Sequence, residues 1–315
     1  MSAAHVASRH DLASDNARFW RGVWRIADPK ITLASVGSLF LGVCAAAHDG
    51  PLRARWVVLT VLGIFLIEVA KGASGEIFDW DSGTDARVTP EDRSPFSGGK
   101  RVLVDQLMTR AQTRRVATLA YALGAMCGAV IALHEPGVLW LGLAGAALAY
   151  FYHAPPLKLA YRGFGEVAVL FAYGPMIACG SYLVQRGDVG KTVVHLGVVY
   201  GIVVAAFLFI NEFPDANADA SSGKRTWVVR LGNKRASRVF AAFPLVAFGY
   251  LAALPVLAGV TPAVWLGMLG LPLAACAAWK LSRSYQTTAD IVPAQAWTLL
   301  SFILMALGSG IGLLL

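Results

Sequence analysis

The sequence predicts an all-α protein, a multi-pass transmembrane bundle of nine helices with loops that cap its cytoplasmic end. Three observations support this fold class: the composition, nine long apolar runs, and an uneven distribution of basic residues between the loops. Of 315 residues, 57% are hydrophobic and 15% are charged, and the mean hydropathy is +0.58. Soluble proteins carry about 25% charged residues, so this chain has too few charges to cover a water-exposed surface.

The nine apolar runs have the length that a bilayer requires. A hydrocarbon core of about 30 Å takes about 20 residues of helix. The predicted spans are Ile31–His48, Trp56–Ala73, Val116–Leu133, Val138–Tyr152, Phe164–Val184, Thr192–Ile210, Val239–Leu257, Pro262–Lys280 and Trp297–Leu315. The fourth is short. All nine are continuously apolar, whereas the strands of a transmembrane barrel alternate between apolar and polar residues.

The basic residues predict the orientation of the bundle. Of the 27 Lys and Arg residues, 23 fall on the side of the membrane that carries the N-terminus, and four fall on the other side. Loops rich in Lys and Arg remain in the cytoplasm, so we expect a cytoplasmic N-terminus. The same rule accounts for the net charge of +8 without nucleic acid as a partner.

The N-terminal segment, residues 1–30, precedes the first span and differs from it in character. Its basic and apolar side chains interleave: Arg18, Arg21 and Arg25 alternate with Phe19, Trp20, Val23 and Trp24. This spacing predicts a cationic amphipathic helix on the membrane surface, and a disordered tail is the alternative. No cleavable signal peptide is expected. Residues 31–315 are predicted to form a single transmembrane domain.

Three pairs of glycines four residues apart lie within the predicted spans. They are Gly124/Gly128, Gly197/Gly201 and Gly308/Gly312. Small residues at this spacing let two helices approach closely. We expect them to serve packing within one bundle, and they do not indicate a dimer.

Acidic residues form two groups, each at the end of an apolar run. The first follows span two and the second follows span six: Glu76, Asp79, Asp81 and Asp85, then Asn211, Glu212, Asp215 and Asp219. Side chains three or four residues apart share one face of a helix. Four predicted spans separate the groups, and an even number returns the chain to the same side. Both groups should therefore emerge at the cytoplasmic face.

So many carboxylates at one membrane boundary repel each other unless a cation neutralises them. Divalent cations with oxygen ligands meet this need, and Mg²⁺ completes its shell with phosphate oxygens and water. The candidate metal ligands are Glu76, Asp79, Asp85, Asn211, Asp215 and Asp219. The alternative is that these acids solvate helix ends or pair with local arginines. Two groups on the same side favour a metal that bridges a phosphorylated ligand.

Basic residues follow or lie between the acidic groups. The candidates for a diphosphate clamp are Arg93, Lys100, Lys158, Arg162, Lys224 and Arg225. Cations beside metal-bound carboxylates stabilise the charge of a departing diphosphate. The alternative for each is the positive charge that any cytoplasmic loop carries. Lys224 and Arg225 directly follow the second acidic group, which favours a role in binding.

These residues closely resemble the UbiA superfamily of intramembrane aromatic prenyltransferases, over nearly the whole chain. Members of that superfamily have nine transmembrane helices and two aspartate-rich motifs, at the ends of helices two and six. The resembling segments are Pro29-Lys30, Gly75–Asp85, Arg93–Lys100, Ala154–Glu166, Asn211–Asp219, Gly223-Lys-Arg-Thr and Val229-Arg-Leu-Gly. They look most like the 1,4-dihydroxy-2-naphthoate prenyltransferase branch, except that Gly75 and Glu76 stand where Asn-Asp is usual.

The resemblance implies a defined reaction. An isoprenyl group passes from an allylic prenyl diphosphate, bound through Mg²⁺, to an aromatic acceptor, here 1,4-dihydroxy-2-naphthoate in menaquinone biosynthesis. Asp79, Asp215 and Lys158 are then the expected catalytic residues, with Mg²⁺ and the cations drawing off the diphosphate. The expected location is a bacterial inner membrane, with lipid around the bundle.

Aromatic side chains near the proposed site are candidates to stabilise the allylic carbocation. They are Tyr150, Phe151, Tyr152, Phe171 and Tyr173, although ordinary packing explains any single ring equally well. Glu166 either orients the acceptor or pairs with Arg162, four residues before it.

Two other functions remain open from the sequence. The first is another reaction on the same scaffold, either transfer to a different aromatic acceptor or cyclisation of the prenyl chain. The second is cation transport, which would place acids near the bilayer midplane. Because Glu68 and Glu166 are expected near span ends, the sequence disfavours transport. Prenyl chain length and oligomeric state are not determined by the sequence.

Overall fold

A computed structural model describes the backbone of residues 3–315 and the side chains of residues 15–28 and 32–315. The predicted motif Pro29-Lys30 lies outside the described side chains. Within residues 3–315 the α-helices are α1 (Ala3–Ala27), α2 (Pro29–Asp49), α3 (Ala54–Ser82), α4 (Arg110–His134), α5 (Val138–Phe151), α6 (Gly165–Phe171), α7 (Ile177–Arg186), α8 (Lys191–Ser221), α9 (Trp227–Leu231), α10 (Asn233–Phe240), α11 (Ala242–Ala258), α12 (Leu271–Arg283) and α13 (Thr288–Leu314). A π-helical turn, Ala172–Met176, joins α6 to α7, and 3₁₀ turns, Pro262–Gly270, precede α12. The all-α prediction is confirmed, and residues 3–315 contain no strand.

The prediction of nine passes is confirmed in outline. Eight helical stretches within residues 3–315 are long and apolar enough to cross a membrane, and the ninth, α5, has only 14 residues. Contacts at both ends of α5 show that it nevertheless traverses the bundle. Before it, the His134 ring stacks on Trp56 at the start of α3, with 4.3 Å between centroids. After it, His153 Nε2 lies 3.7 Å from Asp79 near the end of α3.

Two helices extend well beyond the predicted spans. The second span was predicted to end at Ala73 and the sixth at Ile210, but α3 continues to Ser82 and α8 to Ser221. The additional turns carry both acidic groups except Asp85, which follows the end of α3. Because these turns are charged, their hydropathy is too low for them to be counted in an apolar span. We call the end of the bundle where α3 and α8 terminate the acidic end.

The kink between α6 and α7 allows α8 to pass close by. Gly174 has a non-helical backbone, and Pro175 cannot donate an N–H to the helix. A Cβ on Gly174 would lie 2.5 Å from the carbonyl oxygen of Gly197, and one on Gly201 would lie 2.3 Å from that of Leu170. The Gly197/Gly201 pair thus serves packing within the bundle, as predicted.

The other two glycine pairs differ in whether they serve helix packing, as was predicted for both. Cβ atoms on Gly308 and Gly312 would lie 2.3 and 2.1 Å from backbone oxygens of the 3₁₀ turns before α12, which confirms a packing role. Gly124 packs against Ile67. A Cβ on Gly128 would meet no heavy atom within 4 Å, so the packing prediction is wrong for this residue. It lines a cavity instead.

The described part of the N-terminal segment packs as an amphipathic helix. Ile26 is buried, whereas Trp20 and Trp24 are 61% and 70% exposed. Arg25 forms an ion pair of 2.6 Å with Asp105 in the loop of residues 83–109, which we call the cap loop. The side chains of residues 1–14 lie outside the described residues. The domain division at residue 30 remains a prediction.

Large aromatic side chains fill one half of the bundle. Tyr200 and Phe209 of α8, Phe240 of α10 and Phe302 of α13 are fully buried against one another and their neighbours. The other half, formed by α3 to α7, is less densely filled and encloses a large cavity.

Candidate active site

The cavity has a volume of about 1360 Å³ and runs from the acidic end into the bundle. At the acidic end its wall is polar and belongs to α3, α8 and the cap loop. Deeper in, the wall consists mainly of small and apolar residues of α3 to α7. Along α3 the wall extends from Asp79 to Thr60, which is roughly 29 Å at 1.5 Å per residue. The arrangement suits a ligand with one charged end and a long apolar tail.

Lys224 joins the two acidic groups. Its Nζ lies 3.2 Å from Asp79 Oδ1 and 3.6 Å from Asp219 Oδ1. Burial disfavours the charged ammonium, but Asp79 and Asp219 outweigh burial and hold the pKa of Lys224 well above its usual value. The acidic groups of α3 and α8 therefore share one polar compartment, which we call the vestibule.

Tyr161 holds the Asp79 carboxylate by a hydrogen bond, and His153 lies beside it. The Tyr161 hydroxyl donates a hydrogen bond of 2.8 Å to Asp79 Oδ1. His153 Nε2 lies 3.7 Å from Asp79 Oδ2. Burial, reinforced by neighbouring lysines, lowers the pKa of His153 to about 4. The imidazole is therefore neutral near pH 7 and forms no ion pair with Asp79.

The cap loop closes the vestibule over the first acidic group. Glu76 Oε1 accepts a hydrogen bond of 2.8 Å from the backbone N–H of Leu103. Asp85 packs against Gly99, where a Cβ would lie 2.2 Å from Asp85 Oδ1. Burial, together with the charges of Asp79 and Glu76, raises the pKa of Asp85 to about 8. Near pH 7 the Asp85 carboxyl is therefore mostly protonated unless a further cation joins the vestibule.

The second acidic group contains carboxylate oxygens that lack a partner. Asp215 accepts a hydrogen bond from the backbone of Gly98, but its buried Oδ1 has no partner. Oε2 of Glu76 is also buried without a hydrogen bond. Asn211 Oδ1 accepts a hydrogen bond of 3.0 Å from Gln295 Nε2 of α13.

All six predicted metal ligands line this one cavity: Glu76, Asp79, Asp85, Asn211, Asp215 and Asp219. No three acidic, His or Cys side chains of the described residues converge closely enough to form a complete metal centre. Lys224 lies between the acids instead. Hard oxygen donors with unpartnered atoms fit a divalent cation, and that cation would then share the acids with Lys224.

The predicted cationic clamp divides into two sets. Lys224 and Lys100 line the cavity. Lys100 Nζ donates to the Ile26 carbonyl at 2.6 Å, and burial lowers its pKa. The other predicted cations do not reach the cavity wall. They are exposed, and they are Arg93, Lys158, Arg162 and Arg225. Lys158 lies near the vestibule all the same, with Nζ 5.3 Å from the centroid of the Tyr161 ring.

Of the five predicted aromatic side chains, only Tyr152 and Tyr173 line the cavity. Tyr150 and Phe171 are about half exposed on the outside of the bundle.

Glu166 accepts a hydrogen bond of 3.2 Å from the backbone N–H of Trp227, and within the described side chains it forms no ion pair with Arg162. It thus ties α6 to α9.

Four residues of the site were not predicted. Tyr161 and His153 lie in or beside the recognised segment Ala154–Glu166, but nothing in the sequence shows that they face Asp79. Glu68 and Lys71 form an ion pair of 2.8 Å on the cavity wall. The prediction that Glu68 lies near a span end is wrong, because α3 continues for 14 residues beyond it. Ionisable residues inside a span are the signal that would have identified this pair.

The family model of the UbiA prenyltransferase family matches residues 35–303. The chain belongs to this family and is a membrane-embedded prenyltransferase. A 1,4-dihydroxy-2-naphthoate octaprenyltransferase of Mycobacterium tuberculosis is 31% identical over 222 residues, which are 70% of this chain and 74% of that protein.

Solved structures of UbiA homologues share the fold. The apo structure of a homologue from Aeropyrum pernix K1 matches with a TM-score of 0.67 at 19% identity, covering 91% of this chain and 96% of that one. A homologue from Archaeoglobus fulgidus, bound to GPP and Mg²⁺, matches with a TM-score of 0.61 at 15% identity, covering 94% and 99%. Similarity at this level of identity establishes the architecture.

Proposed function

We propose that this protein transfers an isoprenyl group from an allylic prenyl diphosphate to 1,4-dihydroxy-2-naphthoate, a step of menaquinone biosynthesis. The observation that carries the proposal is the position of Lys224 between Asp79 and Asp219, directly above a long apolar cavity. A charged diphosphate fits the vestibule and a prenyl tail fits the cavity below it. The relative from Mycobacterium tuberculosis, which carries this activity in its name, supports the choice of acceptor.

The vestibule residues have separate tasks in this reaction. Asp79, Asp215, Asp219, Glu76, Asp85 and Asn211 would hold Mg²⁺. Bound there, Mg²⁺ supplies positive charge that stabilises the departing diphosphate. Lys224 and Lys100 supply further positive charge to the same oxygens. The exposed Lys158, Arg162, Arg225 and Arg93 would assist from the rim, where they guide the diphosphate inward.

The remaining cavity residues would surround the prenyl group and the aromatic acceptor while the carbon–carbon bond forms. As the bond between the allylic carbon and oxygen breaks, its electron pair leaves with the diphosphate, and a ring carbon of the acceptor bonds to the allylic carbon. That ring carbon then loses its carboxylate as CO₂. Tyr152 presents an aromatic group to this region, which favours a cationic intermediate. The apolar wall excludes the water that would otherwise capture it.

The same scaffold would also serve another electron-rich aromatic acceptor, or cyclisation of the prenyl chain. The test is to supply the purified protein with a prenyl diphosphate, Mg²⁺ and 1,4-dihydroxy-2-naphthoate, and to identify the products by mass spectrometry. We expect a prenylated naphthoquinol and CO₂. Consumption of the donor without any prenylated aromatic product would contradict the proposed acceptor.

We further propose that the acidic end faces the cytoplasm of a bacterial inner membrane. The support is the excess of Lys and Arg at this end of the bundle. Water-soluble prenyl diphosphate headgroups and aromatic acids are then available where the vestibule opens.

A further inference from the structure

A second polar cluster lies in the cavity wall, well below the vestibule. Lys71 Nζ donates a hydrogen bond of 2.8 Å to Glu68 Oε2, and the Tyr173 hydroxyl donates one of 2.9 Å to the same oxygen. Ser35 donates to Glu68 Oε1 at 2.7 Å. Lys71 precedes Asp79 by eight residues, which is about 12 Å along α3. The vestibule therefore does not include it.

Both Glu68 oxygens already accept hydrogen bonds, whereas Lys71 is still accessible from the cavity. Three donors from three different elements already occupy the two Glu68 oxygens. The side chain of Lys71 is twice as exposed as that of Glu68, 21% against 10%, and both line the cavity. An ammonium has three donors, and its contacts with Glu68 and Tyr173 leave one of them for a ligand.

Helix packing alone does not account for this cluster. Ionisable side chains within a membrane span are costly, and a buried ion pair seldom stabilises a fold more than apolar residues do. The cluster is also unsuited to a diphosphate, because Glu68 neutralises Lys71 and repels further negative charge. A polar but uncharged group fits it better.

We propose that Lys71, held in place by Glu68 and Tyr173, donates a hydrogen bond to a ring hydroxyl of the aromatic acceptor. This inference rests on the proposed function. The relevant hydroxyl of 1,4-dihydroxy-2-naphthoate is the one at position 4, which is not adjacent to the carboxyl-bearing carbon. That carbon then faces the vestibule, where the donor's allylic carbon lies. Lys71 thereby determines which hydroxylated aromatic compounds bind productively.

The test measures equilibrium binding of three naphthalene compounds to the purified full chain. Binding is monitored through the intrinsic fluorescence of each compound. The compounds are 1,4-dihydroxy-2-naphthoate, 1-hydroxy-2-naphthoate, which lacks the hydroxyl at position 4, and 1,4-naphthohydroquinone, which lacks the carboxylate. The variants are Lys71→Met and the double variant Glu68→Gln/Lys71→Met. The double variant removes both charges together, so no unpaired carboxylate remains to disturb folding. Lys280→Met, which removes the cation of a surface pair with Asp290 at 3.7 Å, is the matched control.

We expect both variants to weaken binding of the two compounds that carry the hydroxyl at position 4 by about tenfold, the loss of one charge-assisted hydrogen bond. Binding of 1-hydroxy-2-naphthoate and of a prenyl thiodiphosphate should stay within about twofold of wild type. An equal loss for both carboxylated compounds but none for the hydroquinone would show that Lys71 binds the carboxylate, and would overturn the proposal. A loss confined to the thiodiphosphate, or no loss at all, would overturn it too.

Failure of the proposed function gives a different result. In that case the wild-type protein itself neither binds nor prenylates 1,4-dihydroxy-2-naphthoate. If wild type does both and the Lys71 variants bind all three compounds as wild type does, only the role of Lys71 is refuted.

Discussion

Single residues determine whether the vestibule can hold a diphosphate. Asp79 belongs to α3 and Asp215 to α8, and each supplies carboxylate oxygens to the same compartment. We expect Asp79→Asn and Asp215→Asn each to lower Mg²⁺-dependent prenyl transfer by about 100-fold or more, because an amide loses the negative charge that a metal ion requires. Transfer is measured with a labelled prenyl diphosphate, and thermal unfolding verifies that each variant folds.

Asp290→Asn is the matched control for these two variants, since Asp290 is exposed and pairs with Lys280 outside the cavity. Its activity should equal that of wild type. Full Mg²⁺-dependent turnover by both Asp79→Asn and Asp215→Asn would refute the assignment of the site.

Lys224 is the only cation of the described residues that bridges both acidic groups. Lys224→Met should weaken binding of a prenyl thiodiphosphate by about tenfold or more, since a charge-assisted hydrogen bond contributes about 1.5–3 kcal/mol. Isothermal titration calorimetry with saturating Mg²⁺ measures the change. Lys191→Met, at the opposite end of α8, should bind as wild type does; equal affinity of both variants would exclude Lys224 from the clamp.

At the scale of elements, the close approach of α8 to the α6–α7 kink depends on glycine. A Cβ on Gly201 would lie 2.3 Å from the carbonyl oxygen of Leu170. Gly201→Ala should therefore destabilise the protein by about 1–3 kcal/mol through overpacking. Gly249→Ala in α11, where a Cβ meets no atom within 4 Å, is the control. Comparable unfolding temperatures for the two variants would contradict the packing described for α8.

The wall of the apolar cavity should limit the length of the prenyl donor. Gly128 of α4 lines the cavity, and a side chain there would project into open space. Gly128→Trp should lower transfer from long polyprenyl donors by at least about tenfold through steric exclusion, and leave dimethylallyl transfer little changed. The comparison uses kcat/KM for donors of increasing length, with the exposed Gly249→Trp as control. An equal effect on all donors would show that the tail lies elsewhere.

The elements also show what the sequence could and could not predict. Span number and direction follow from hydropathy and basic residues, so the all-α bundle was predictable. The spacing of the acidic residues already indicated helix at the ends of these spans, but the full lengths of α3 and α8 were not predictable, because a hydropathy window ends where charges begin. Glu68 was misplaced for the same reason. Contacts such as Tyr161 with Asp79 depend on how a loop folds over a distant helix, and no local pattern encodes them.

At the scale of the whole molecule, nine passes place the two termini on opposite sides of the membrane. Green fluorescent protein should fluoresce when fused before Met1, and alkaline phosphatase should be active when fused after Leu315. Both expectations depend on α5 crossing the membrane despite its 14 residues. An inactive phosphatase after Leu315, with a fluorescent N-terminal fusion, would indicate an even number of passes and contradict the fold described.

The proposed reaction requires oxygens from α3 and α8 to hold one metal-bound diphosphate between them. The most direct measurement is a structure of the protein with Mn²⁺ in place of Mg²⁺ and a prenyl thiodiphosphate, with the metal located by anomalous scattering. We expect metal density that contacts both Asp79 and the Asp215–Asp219 group, with the diphosphate beside Lys224 and the tail in the apolar cavity. Metal bound to one acidic group alone, with the diphosphate outside the vestibule, would contradict the proposed reaction.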